Sequence, residues 1–132
     1  MPAPSIKEQL YERTIQFSVR VLAMLKTLKK GMYEEEISRQ LARSAMSVGA
    51  NYREACHAQS RGDFVHKIKI CEGEAEESLY WMEIIVRSGM VNERRMSSLI
   101  AEAKELISIL TASAKTARSH LNDKRGRSGQ GA

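Results

Sequence analysis

Apolar residues recur every three or four positions along almost the whole chain, and breaks in that rhythm divide it into four segments. In the first, Leu10, Phe17, Val21, Met24 and Leu28 keep a heptad-compatible spacing, with Thr14 in the one polar slot. Tyr11, Ile15 and Leu22 widen that face. Ser5 followed by Glu8 predicts a capping box at the start. Lys29-Lys30-Gly31 predicts the end, with basic charge on the last turn and Gly31 as a left-handed cap. The second segment starts near Tyr33 with Glu34, Glu35 and Glu36 in its first turn. Ile37, Leu41, Ala45, Val48 and Tyr52 carry its stripe. Its middle is made of small residues, among them Ala42, Ser44, Ser47, Gly49 and Ala50. Glycine inside a helix costs about 1 kcal/mol against alanine. Gly49 therefore predicts a close neighbouring helix, and Gly73, at a nearby level of the third segment, is the expected counterpart.

The third segment opens at Ser60 with Asp63, shows Phe64, Ile68, Cys71, Ala75, Met82 and Val86, and stops at Ser88-Gly89. The fourth takes Asn92 as N-cap and carries Met96, Leu99, Ala103, Leu106, Leu110 and Ala117, with Ile100 and Ile107 beside them. Four long helices joined by short turns predict an all-α fold, an antiparallel up-down-up-down four-helix bundle. The bundle is expected over residues 1–121 and a basic flexible C-terminal tail over 122–132. The extra apolar stripes on helices one and four exceed one core, so they are expected to face a partner subunit.

The length of 132 residues suits one domain. Both prolines, Pro2 and Pro4, precede the first helix. No apolar run approaches the roughly 18 residues of a membrane span, so no membrane role is expected. MPAPSIKEQL lacks the basic-then-apolar order of a signal peptide, which makes the cytoplasm the expected compartment. Cys56 and Cys71 are expected as free thiols, because their distances from the turn near Ser60 differ by about 10 Å of helix rise.

The net charge of +5 is uneven. Lys115, Arg118, Lys124, Arg125 and Arg127 against Asp123 put +4 in residues 115–132, leaving +1 for the rest. These five cations are the candidate RNA or DNA contacts, through sequence-blind attraction to phosphate. A solubilising tail is the competing reading.

Two patterns invite catalytic or metal readings. Glu54-Ala-Cys-His57 and Asp63-Phe-Val-His66 mimic the Glu-x-x-His pairs of di-iron bundles. Both flank one turn, and helices one and four offer apolar residues at their inward slots, so no metal and no other cofactor is expected. The acidic run Glu72, Glu74, Glu76, Glu77 offers paired carboxylates, but hairpin geometry assigns them cationic partners instead. For helices two and three turning near Ser60, Arg43 meets Glu76 or Glu77, and Ser47 meets Glu72–Gly73. Asn51 and Glu54 meet His66, Lys67 and Lys69. Arg43, Ser47, Asn51, Arg53, Glu54, Glu74 and Glu77 are thus read as a structural polar network that fixes register. Tyr80 and Trp81 are read as packing residues rather than base-stacking ones. No catalytic residue is assigned: the chain holds no phosphate loop, no Ser-His-Asp set and no paired-cysteine zinc spacing.

SVGANYREA, SRGDF and EGEAEESLYWMEII together resemble the four-helix-bundle proteins of the 23S rRNA intervening sequence, or S23-type, family. The likeness runs over residues 5–120. It implies a left-handed bundle, homopentamers with a central opening, and no known catalysis. Distant relatives of the fold serve as basic pentameric nucleic-acid-binding accessories to retroelement reverse transcriptases. Ser47, Asn51, Arg53, Glu54, Glu74, Glu77, Tyr80 and Trp81 match the family pattern here without an established catalytic role. Two function classes follow. One is a non-enzymatic oligomer that binds RNA or DNA through a basic rim and tail. The other is a protein-interaction scaffold with a protein partner and no nucleic-acid role.

Overall fold

The computed structural model describes residues 3–130, with side chains as far as 123. Four helices follow one another: α1 (Ile6–Leu25), α2 (Met32–Cys56), α3 (Arg61–Arg87) and α4 (Glu93–Gln130). No strand occurs among the described residues. α2 packs on α3, α3 on α4 and α1 on α2, while α1 touches α4 least. They form a bundle around one apolar core.

Local chemistry sets most helix ends. Ser5 and Glu8 form the complete capping box of α1, Ser60 Oγ accepts from the Asp63 amide at 3.0 Å, and Asn92 Oδ1 accepts from the Arg95 amide at 2.9 Å. α3 closes in a Schellman motif. Gly89 takes φ 82, its amide donates to Val86 O, and the Met90 amide donates to Ile85 O, both at 3.1 Å.

The end of α1 departs from the expectation. The helix stops at Leu25, where the Thr27 and Leu28 amides make tighter three-residue bonds to Met24 O and Leu25 O, and Thr27 Oγ1 also donates to Met24 O. Gly31 is extended, with φ 173, and caps the start of α2 instead of closing α1. The helical backbone of α4 runs through position 122 to Gln130. Cationic side chains are good helix formers and are favoured near a helix C-terminus. Lys124, Arg125 and Arg127 fall in this stretch, and their side chains lie outside the described residues.

The core contains Leu10, Phe17 and Val21 of α1 with Leu41, Ala45 and Val48 of α2. Ile68, Met82 and Ile85 of α3 and Met96, Leu106 and Leu110 of α4 complete its centre. On α3, Val65 and Ile85 are buried where Phe64 and Val86 were expected, and those two are half-buried. On α4 the stripe ends at Ala114 rather than Ala117. On α3, Ile85 rather than Val86 continues the alternating three- and four-residue spacing of Ile68, Cys71, Ala75, Ser78 and Met82.

The close helix approach lies elsewhere than expected. A Cβ on Gly49 would stand 3.2 Å from Thr14 Oγ1 and 3.3 Å from Thr14 Cβ, whereas one on Gly73 meets nothing within 4 Å. Gly49 therefore serves the crossing of α1 over α2, where Ser18 Oγ also donates to Ala45 O at 3.1 Å. Thr14 is fully buried and held by its own bond to Tyr11 O at 2.7 Å, so it has little freedom to retreat.

Two substitutions separate these glycines. Gly49→Val should destabilise the protein by about 1–3 kcal/mol through overpacking against Thr14. Gly73→Ala should raise stability by about 0.5–1 kcal/mol, because only helix propensity changes. Chemical denaturation of both variants is the measurement.

Candidate functional site

The α2–α3 hairpin carries the polar residues singled out in the sequence, and the structure divides them into separate groups. Arg43 lies between two carboxylates of α3, with Nη1 3.3–3.4 Å from Glu74 and Nη2 against Glu77. Beneath it lies a contact that the sequence reading missed. Ser78 Oγ donates to Ser44 Oγ at 2.9 Å, and Ser44 Oγ donates to Leu41 O at 3.2 Å. Both serines are fully buried. The only signal was a serine at a core position of each stripe.

Near the turn, Glu54 accepts from Lys67 Nζ at 2.8 Å. That hydrogen bond, followed by the carboxylate's charge, holds the Lys67 ammonium above its usual range. The interaction favours folding below the ordinary lysine pKa and is lost as pH rises through the raised one. Asn51 turns its amide to Ser47 O of its own helix at 2.8 Å instead of crossing to α3. Lys69 pairs with Glu72 on α3 itself. Arg53 is exposed on the side of α2 nearer α1, beside Lys7, Tyr11 and His57. Of the seven residues, Arg43, Glu74 and Glu77 form one ion-pair contact and Glu54 joins another with Lys67, while Ser47, Asn51 and Arg53 lie outside both.

Cys56 and Cys71 are both free. Burial pushes the Cys71 thiol up to about 12. Burial, and then Cys56, also push the Tyr52 hydroxyl up. Tyr80 stands edge-on to Trp81 with ring centroids 5.1 Å apart, Trp81 half-buried and Tyr80 exposed. Among the described residues no group of three His, Cys, Asp or Glu side chains is placed to hold a metal.

A broad, open depression lies at the end of the bundle where α2 turns into α3 and α4 passes beside the turn. It encloses about 830 Å³. Phe64 and Ile109 line its apolar part, and Gln59, Ser60, Ser113 and Thr116 contribute polar groups. Arg61 and His120 line it as well. Ser113, Thr116 and His120 recur at helical spacing on one side of α4. Lys115 and Arg118 fall about 180° round the helix from that side, so the groove takes neither of these expected cations. Arg61 and His120, which the sequence reading passed over, line it because the turn and α4 meet there.

The description "23S rRNA-intervening sequence protein" fits residues 7–112 of the chain. The chain belongs to the 23S rRNA-intervening sequence protein family. A solved structure from Bacteroides thetaiotaomicron, described as a protein of unknown function from the S23 ribosomal protein family, is 32% identical, with a TM-score of 0.75. The match covers 83% of this chain and 97% of that one. A search of curated proteins finds no match.

Side-chain exposure decides what the hairpin contacts contribute. Glu54 is 59% exposed and Lys67 30%, so solvent screens the pair and Glu54→Ala should leave the melting temperature nearly unchanged. A melting curve checks this. One thiol per folded chain, Cys56, should react with a thiol reagent at pH 8, and Cys71 only on unfolding. The neutral Cys71 thiol favours folding below its ordinary value of 9.0, and that contribution is lost as pH rises towards about 12. Denaturation at pH 8 and pH 11 should therefore show a smaller alkaline loss in Cys71→Ala than in the parent.

Proposed function

We propose that this family member is a non-enzymatic binding protein. In this reading its helices run antiparallel, up-down-up-down, and its copies associate into a closed ring, taken as a pentamer in the cytoplasm. RNA or DNA is held at the groove end of the bundle and along the basic extension of α4. The antiparallel reading is supported by the pairings Arg43–Glu77 and Glu54–Lys67 on α2 and α3. Those of Arg13 with Glu102 and Arg20 with Ser98 on α1 and α4, and of Thr27 just beyond α1 with Arg95, agree with it. In each set residue numbers rise on one helix as they fall on the other.

The observation that carries the nucleic-acid reading is the end groove. Its hydroxyls, amide, guanidinium and imidazole suit phosphate and sugar oxygens, and Phe64 offers an apolar surface for a base. α4 continues from the groove through Lys124, Arg125 and Arg127. Binding by several such ends on one body gains from effective concentration.

An RNA titration tests this. Removing residues 122–132 deletes three cations, which should flatten the salt slope of a single-stranded ligand by about 2 in log–log units. At that slope, raising salt from about 50 to about 200 mM should cost the full chain about 20-fold more affinity than the truncated one. Arg61→Ala should weaken binding at both salts. Affinity that ignores salt, tail and Arg61 alike would overturn the nucleic-acid reading and leave the scaffold with a protein partner.

A further inference from the structure

Two outer faces of the bundle carry apolar centres of opposite electrostatic character. On the α1–α2 side, Ile15 is 40% exposed, Val19 53% and Met46 46%. The contact of Ser18 with Ala45 O brings Val19 and Met46, the next residues, to one level of the paired helices. Along the outer line of α2, Met46 stands between Arg39 and Arg53, seven residues away on either side. Arg39 reaches Glu36 at only 3.5 Å, and no carboxylate of the described residues lies within 4 Å of Arg53. On the outer line of α3, Tyr80 is 55% exposed and stands between Glu76 and Glu83, with Arg87 one turn beyond Glu83. No cation of the described residues lies within 4 Å of either acid. One face is therefore an apolar centre with arginines at its ends, and the other a tyrosine between carboxylates. Apolar stripes on helices one and four were expected to meet partners. Ile100 and Ile107 of α4 are half-buried against the core, and the exposed stripe lies on α1 and α2 instead.

We propose that a second copy of the chain docks the Glu76–Tyr80–Glu83 face of its α3 onto the Ile15–Val19–Met46 face of α1 and α2. Tyr80 covers the apolar centre, and Glu76 and Glu83 meet the arginines on either side of it. A tyrosine at the middle of a patch with charged edges is a common anchor of protein interfaces. Because the two faces differ, the contact is heterologous: any open assembly keeps one free face of each kind at its ends, so association continues until a ring closes. The proposal rests on the assembly part of the reading above and is independent of its nucleic-acid part.

Light scattering of three proteins and one mixture tests it. Met46→Glu spoils the α1–α2 face and leaves α3 intact, while Tyr80→Glu does the reverse. Both positions are solvent-facing, and circular dichroism should show parental helix content; Val19→Glu replaces Met46→Glu if it does not. The parent should be an oligomer and each variant alone a monomer, with self-association weakened at least tenfold. An equimolar mixture of the two variants should form a dimer, since one intact face of each kind remains between them. If Met46→Glu is a monomer while Tyr80→Glu assembles normally, the face pairs with itself and the proposal fails. If both variants assemble like the parent, neither face is the interface. A monomeric parent would overturn the assembly reading itself, a result distinct from either failure of the interface.

Discussion

The buried seam of α2 and α3, where Ser44 and Ser78 meet hydroxyl to hydroxyl, holds these helices level together with the ion pairs above it. Ser44 Oγ has Leu41 O and Ser78 Oγ has Glu74 O within reach on their own helices, so a slide of one turn, about 5.4 Å, would break the contact between the helices without leaving either hydroxyl unpaired. The same slide would take Arg43 away from Glu74 and Glu77 and Glu54 away from Lys67. The exposed ion pairs stabilise little by themselves, but they agree with the buried contact, and agreement makes the register unique. Register in turn sets where the hairpin turns. Ser60 and Arg61 then fall beside the stretch of α4 that carries Ser113, Thr116 and His120, and the end groove is the result.

The second constraint is the tight crossing at Thr14 and Gly49. It draws α1 deep against α2 and leaves it little contact with α4 beyond polar links such as Arg13 to Glu102 and Glu105. Hydrogen bonding to Glu102 raises the Arg13 guanidinium further above its ordinary value, so this link stays charged at any ordinary pH. A helix held from one side keeps only a narrow stripe inside. Ile15 and Val19 lie beyond that stripe and remain in solvent beside Met46. The apolar outer face follows from how α1 is seated.

Periodicity and capping chemistry made the four helices and three of their starts legible: Ser5 with Glu8, Ser60 with Asp63, and Asn92. Which neighbour a small residue serves was not legible. Gly49 and Gly73 lie at similar levels on paired helices, yet α1 occupies the space at Gly49 and solvent the space at Gly73, and only the packing of all four helices distinguishes them. Ser44 and Ser78 were hidden for a related reason. A buried serine reads as a small residue until a second hydroxyl is known to lie opposite. The groove was hidden because the sequence counts charge along the chain, while the helix distributes it by angle. Lys115 and Arg118 stand close to Ser113 and Thr116 in sequence and on the opposite side of α4 in space.

Family membership carries the fold, and the surfaces carry the functional argument. The two complementary outer faces lie along the length of the helices, on α1–α2 and on α3. The end groove lies at the tip, between the α2–α3 turn and α4, with the α4 extension leading away from it. Copies joined side by side would cover the first two surfaces and leave the third open on every copy. Lateral association and nucleic-acid binding at the ends would therefore not compete for the same residues. A ring would instead turn one weak, salt-dependent site per chain into a circle of identical sites facing the same way, the arrangement in which a modest basic end can hold a polyanion.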